Sequence, residues 1–278
     1  MKDELGERMK TQHEDRTRFS LPRRTYTIIR LDGKAFHTYT KGLEKPFDDA
    51  LIEDMDNSII SMLPHIQGAV FAYTQSDEIS VLVTDFALPT TSAWFDNNIQ
   101  KMVSVSASII TAEFNRFRDL RAYKKIKIEN SIGGIGSFLN PAYFDSRVFT
   151  IPDRIEVLNY FIWRNQDCAR NSVSMVAQSL FSHKQLQGKS TKEMQEMMFN
   201  EHNINWADYD QSKKNGRLIV KEEYEISYPS NEVGWEPGKN GRDINYKESV
   251  KRNRWISTPA WKFTEDKDKL LNMIPKYE

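Results

Sequence analysis

The chain has 278 residues, of which 39% are hydrophobic, 12% aromatic and 28% charged, and its Lys plus Arg count of 39 equals its Asp plus Glu count of 39. That composition excludes a collagen-like or disordered chain, and the length suits one large domain or two small ones with a sizeable core. The single cysteine, Cys168, excludes an internal disulfide and a thiolate-rich zinc site. No apolar run approaches the ~18 residues of a membrane-spanning helix. The N-terminal MKDELGERMK lacks the apolar core of a secretory signal, so a cytoplasmic protein with no membrane partner is expected.

In chain order, residues 1–18 read as a charged helix. Residues 25–31 (TYTIIRL) are β-branched and read as a strand running into the turn signal Asp32-Gly33. Asp48 or Asp49 then caps a helix to about Leu63, whose apolar stripe is Leu51, Ile52, Met55, Ile59 and Met62, and Pro64 stops it. Residues 69–73 and 78–84 are two strands joined by a short polar hairpin turn, residues 74–77. A long helix near 93–117 follows, with Ile99, Met102, Val103, Ile110 and Phe114 on one face. The Gly-rich SIGGIGSFLNP precedes a strand near 143–151. The order strand, helix, strand, strand, helix, strand predicts an α+β fold with a ferredoxin-like split βαβ antiparallel sheet. We expect a first domain over residues 1–152. A mostly helical region, 153–278, should pack on it, with helices at 155–164, 167–181 and 190–199 and short strands such as 217–221.

Net neutrality conceals two basic stretches. Residues 114–129 hold six basic and two acidic side chains, as do residues 239–254. They fit a local anionic partner such as phosphate, and equally a solvated face.

The informative residues are acidic. Asp32 ends the first strand, and Asp77 and Glu78 lie at the hairpin between the second and third. In the expected topology the first strand lies beside the third, which brings Asp32 towards Asp77. Two carboxylates so placed favour a cation between them, and Mg²⁺ takes hard oxygen ligands while keeping waters and substrate phosphates. The alternative is that these residues serve turn geometry alone.

The strings RLDGKAFHTYTKGLEKPFDDAL, AYTQSDEISVLV, FDSRVFTIP and WRNQDCARNS, in that order, resemble the tRNA-His guanylyltransferase family, in particular its guanylyltransferase-like branch of 3′-5′ polymerases. The resemblance covers most of residues 1–220. It implies a polymerase-type palm and two Mg²⁺ ions held by Asp32, the Gly33 carbonyl and Asp77, with Glu78 as a supporting acid. It further implies nucleotide contacts from Arg30, Lys34, Ala35, Phe36, His37, Lys45, Ser76, Lys101, Asp145 and Arg147, and from Arg170 and Asn171. Asn98 stands where some relatives carry arginine. The implied activity is addition of nucleotides to the 5′ end of tRNA with ATP, GTP or other NTPs as substrates, by a homotetramer built as a dimer of dimers. Relatives devoted to tRNA-His carry a His-Ile-Asn-Asn motif where this chain has Ala169-Arg170-Asn171-Ser172. That departure fits template-dependent repair of 5′-truncated tRNA better than strict tRNA-His guanylylation. A palm-fold nucleotide cyclase and a non-catalytic RNA-binding module are the competing readings.

Other motifs fall away. Gly188-Lys189-Ser190 is no phosphate loop, because His183 stands where a glycine is required. Ser190 with Glu193 makes a capping box instead. The five histidines show no paired zinc spacing.

Overall fold

The computed structural model describes residues 3–128, 140–227 and 249–277. The chain opens with a short helix, α1 (Glu4–Met9), that buries none of its residues. β1 (Tyr26–Gly33) follows, then a single turn, α2 (Phe36–Tyr39), and α3 (Asp49–Met62). The Asp48 carboxylate caps α3 by accepting from the Leu51 N–H at 2.8 Å. β2 (Ala69–Gln75) and β3 (Glu78–Val83) form a hairpin, and α4 (Ile99–Ile128) leads to β4 (Phe144–Ile151). Then come α5 (Arg154–Leu180), α6 (His183–Leu186), α7 (Thr191–His202) and α8 (Gln211–Asn215). β5 (Arg217–Ser227), β6 (Ser249–Pro259) and α9 (Lys267–Met273) complete the described elements.

All six strands form one antiparallel sheet in the order β4-β1-β3-β2-β5-β6. β1 lies between β3 and β4, as the element order predicts. Alternation along each strand divides the apolar residues between two faces. Ile29 and Leu31 of β1 join Ile79 and Val81 of β3 beneath α3 and α4, against Met55, Ile59, Met102, Ile110 and Phe114. Ile28 and Leu82 face the other way, against Val157, Phe161 and Phe263. Burial of each such side chain contributes roughly 1.5–3 kcal/mol. A third cluster, with Val173, Val176, Phe181 and Met198, packs the end of α5 against α6 and α7.

Three expectations change. The long helix starts at Ile99 rather than near residue 93, because Phe95, Asp96 and Asn97 take positive φ of 51°, 51° and 58° and form a separate tight turn. Asn98, buried, then caps α4 by accepting from the Lys101 N–H. The two helices expected at 155–164 and 167–181 are one continuous α5. The strand expected at 217–221 is the start of an 11-residue β5, and a second 11-residue strand, β6, pairs with it, so the sheet continues beyond β2 and the region after residue 152 is less helical than expected. Most of the Gly-rich insert and residues 239–248 of the 239–254 basic stretch lie outside the described residues. Among the described residues no helix is long and apolar enough to cross a membrane.

Candidate active site

Asp32 and Gly33 end β1 beside β4, with Asp32 opposite Asp145 and Gly33 opposite Phe144. Strand alternation sends Leu31 into the core under α4 and turns Arg30 and Asp32 towards the α5 face. Gly33 is required by packing. A Cβ there would lie 2.1 Å from the Phe36 ring, and that ring is buried among Tyr39, Phe114 and Phe144. Ala35, at φ 54°, reverses the chain into α2.

Asp77 sits in the two-residue loop of the β2–β3 hairpin, since Gln75 pairs directly with Glu78. Ser76 takes a left-handed φ of 48° there, the geometry that tight hairpins demand of a loop residue. Its hydroxyl lies 2.9 Å from the Asp77 carboxylate. Because β1 neighbours β3, Asp32 and Asp77 open onto one cavity of about 340 Å³. Gln75, Ser76 and Glu78 line it from the sheet, and Asn171, Ser174, Met175 and Gln178 line it from α5.

The three acids differ in their surroundings. The Glu78 carboxylate is held by Arg30 at 2.6 Å and Arg164 at 2.7 Å. Arg164 also reaches Asp167 at 2.5 Å, and Asp167 accepts from Arg170 at 3.0 Å and Asn171 at 3.3 Å. A charged relay therefore runs from β1 through β3 into α5, buried at Glu78 and Arg164 and reaching the surface at Arg170. Asp32 and Asp77, by contrast, make no ion pair among the described residues. Burial pushes the Asp77 carboxyl above its ordinary range; the Ser76 hydroxyl opposes this, and the negative charges of Asp32 and Glu78 add to it. Burial likewise raises Glu78, against the pull of Arg164 and Arg30. A cation between Asp32 and Asp77 would reverse the penalty on Asp77. Among the described residues no three metal-ligating side chains converge, so the donor set does not form a closed protein cage. It fits Mg²⁺, which accepts two carboxylates and a backbone carbonyl and completes its shell with water and phosphate oxygens.

The other residues singled out in the sequence are dispersed. Ser76 and Asn171 line the same cavity as the two aspartates. Arg30 stands behind it, engaged with Glu78. Lys34 and Ala35 line a separate cavity at the end of β1 and β4. Phe36 is a core side chain, so only its backbone is available to a ligand. His37 and Lys45 are exposed on the α2 segment and the loop before α3. Asp145 and Arg147, 3.3 Å apart, lie exposed on β4 directly opposite Asp32 and Arg30, on the same face of the sheet. Arg170 is exposed and tied to Asp167. Lys101 is not brought to the cavity. The α4 residue that meets the start of β4 is Thr111, bonded to the Phe144 N–H, and Lys101 lies ten residues earlier, ~15 Å along the helix.

Sequence reasoning missed Gln75, Ser174, Met175 and Gln178. The three on α5 follow Asn171 at spacings of three, four and seven, which place all four on one helix face. A stripe with three polar members where a core stripe would be apolar was the available signal.

Residues 6–152 match the family model described as tRNAHis guanylyltransferase. The chain is 30% identical over 234 residues to an uncharacterized protein of Acanthamoeba polyphaga mimivirus, covering 78% of this chain and 77% of that protein. It is 28% identical to a tRNA(His) guanylyltransferase of Debaryomyces hansenii, covering 75% of this chain and 77% of the relative. Among solved structures, a bacterial tRNA(His) guanylyltransferase-like protein in complex with ATP superposes with a TM-score of 0.76 at 37% identity, over 98% of this chain and 99% of the other. A GTP complex of such a bacterial protein gives a TM-score of 0.71 at 35% identity with the same coverage.

Proposed function

The chain belongs to the tRNAHis guanylyltransferase family, whose members are nucleotidyltransferases, and on that premise we propose that it adds nucleotides in the 3′-5′ direction to the 5′ end of tRNA, with Mg²⁺, on a polymerase-type palm. One observation carries the reading. Two carboxylates, one from the end of β1 and one from the β2–β3 loop, meet at one cavity without a cationic partner among the described residues, while Glu78 beside them has two.

Asp32, Asp77 and the Gly33 carbonyl are the residues that would hold the metal. When bound there, a pair of Mg²⁺ ions supplies a lowered pKa for an attacking hydroxyl and charge neutralisation for the leaving phosphates. The chain's own part is positioning. The turn from Gly33 to His37, with its backbone amides, is the proposed cradle of a triphosphate. Asn171, Ser174 and Gln178 present hydrogen-bonding groups across the cavity, suited to a sugar or a base edge. In the reaction, the 3′-hydroxyl oxygen of an NTP bonds to the activated 5′ phosphorus of the RNA, and AMP or pyrophosphate departs with the broken bond's electron pair. The ATP and GTP complexes of similar bacterial proteins support NTPs as substrates. Pairing with the opposite RNA strand selects the base.

Ala169-Arg170-Asn171-Ser172 supports 5′-end repair of truncated tRNAs over exclusive use of tRNA-His. Residues 153–278 are proposed to hold the tRNA backbone, the exposed Lys251 and Arg254 of β6 included. A homotetramer located in the cytoplasm belongs to the same reading.

The test is extension of a 5′-truncated tRNA, labelled at its 5′ phosphate, with each NTP in turn. The wild-type chain is expected to lengthen it. Asp32→Ala is expected to abolish extension and leave tRNA affinity little changed. Unaltered extension by Asp32→Ala would remove the site from the reaction.

A further inference from the structure

A second cavity, of about 470 Å³, opens at the other side of the Asp32-Gly33 turn. Its walls come from Lys34, Tyr39 and Lys41 of the α2 segment, Arg118 of α4, and Asn140 and Tyr143 ahead of β4. The Lys34 N–H donates to the Tyr143 carbonyl at 2.8 Å, which fixes the two walls together. We propose that this cavity takes one unpaired nucleotide of the RNA strand that runs past the site, its base against Tyr143 and its phosphate beside Lys34 and Lys41. The inference rests on the RNA-directed reading above.

Four observations carry it. First, among the described lining residues there is no carboxylate, and Asp54, behind the wall, is engaged by Arg118 and Arg121. Lys34 and Lys41 make no ion pair among the described residues, so the cavity carries net positive charge. Second, Tyr143 is 55% exposed although it adjoins the core residues Ala142 and Phe144. An exposed ring beside lysines is the combination that binds single strands, by stacking and phosphate neutralisation. Third, the Tyr39 hydroxyl and Arg118 interact with each other behind the lining, so the exposed cationic and aromatic groups left to meet a ligand are Lys34, Lys41 and Tyr143. Fourth, the volume falls within the roughly 300–1,000 Å³ of small-ligand pockets.

The same observations discriminate between ligands. The triphosphate with its Mg²⁺ belongs on the side of the Gly33–His37 turn that carries Asp32 and Asp77, because the lining on this side has no carboxylate to hold the metal. A base pair inside the stem has both faces stacked and has none to offer a tyrosine, whereas an unpaired base has a free face. The 5′ end of a tRNA stem is followed on its opposite strand by an unpaired 3′ tail. That tail supplies the single-stranded nucleotide closest to the reacting phosphate.

The experiment compares affinity for two RNAs by fluorescence anisotropy: a tRNA with its 3′ tail and the same tRNA trimmed flush with the stem. The wild-type chain is expected to favour the tailed RNA. The double variant Lys41→Ala/Tyr143→Ala is expected to bind the tailed RNA about tenfold more weakly, a stacking-sized effect, and to bind the flush RNA as the wild type does. Tyr143→Phe, which keeps the ring, is expected to retain the preference. An equal loss on both RNAs, no loss on either, or a change confined to the KM for NTP would overturn the assignment. Failure of the 5′-extension reading is separate, because it is read from Asp32→Ala on either RNA.

Discussion

Asp77 bears a charge that its folded surroundings disfavour. Burial and the neighbouring negative charges raise its pKa above the ordinary aspartate range. The folded state therefore holds a proton more tightly than the unfolded chain does, and above the raised pKa that difference lowers stability. Asp77→Asn removes the ionising group. Without divalent cations at neutral pH, the variant is expected to melt at a higher temperature than the wild type. The gap should shrink as pH falls through the raised folded-state pKa and close below the unfolded value of about 3.9. Adding Mg²⁺ should raise the wild-type melting temperature and leave that of the variant nearly unchanged. Equal melting at every pH and no Mg²⁺ effect would mean that the carboxylate carries no such cost. At this scale the aspartates were legible in the sequence because strand ends and hairpin turns are marked by Gly33 and by polar residues between apolar runs. The roles of their neighbours were less so. Glu78 reads in sequence as a supporting acid beside the two aspartates, and nothing in the sequence marks the two distant arginines that hold it.

Helix α5 joins the layers of the molecule. Its N-terminus is capped by Asp153, and Tyr160 meets Ser80 on β3 at 2.8 Å. Arg164 then pairs with Glu78, and Asn171 to Gln178 wall the cavity. Its middle reads as a break between two helices because Arg164, Asn165 and Gln166 interrupt the apolar stripe. The interruption is a polar joint instead. Asn165, 2% exposed, accepts from the Phe263 N–H at 3.0 Å and donates to the carbonyls of Asn215 and Trp261. Such pairing is invisible in one sequence because the partners lie 50 to 98 residues away. Asn165→Ala leaves a buried N–H unpaired and is expected to cost on the order of 1–3 kcal/mol. Urea unfolding checks this, as a lower midpoint with an unchanged slope. A variant as stable as the wild type would show that the joint is dispensable.

At the scale of the whole molecule, one topological relation positions the chemistry. The order β4-β1-β3-β2 sets the end of β1 beside the β2–β3 turn, so residues 45 positions apart, Asp32 and Asp77, reach one cavity. That order was legible from the succession of strands and helices, because each apolar run has a distinct period and each turn a marker. Of the β5–β6 extension only the start of β5, residues 217–221, was legible. Its outer strand is largely exposed, with Lys251, Arg252, Asn253 and Arg254 in succession, and it lacks the apolar run that identifies a buried strand. Its register comes from cross-strand pairs such as Glu222 with Arg254 and Glu223 with Lys251. The account's central claim is that the sheet order builds a divalent-cation site from Asp32 and Asp77. Anomalous diffraction from crystals grown with Mn²⁺ and a non-hydrolysable NTP tests it most directly. We predict an anomalous peak close to the Mg²⁺–oxygen distance of about 2.0–2.1 Å from both the Asp32 and the Asp77 carboxylates. A bound nucleotide with its ions placed elsewhere, touching neither side chain, would contradict it.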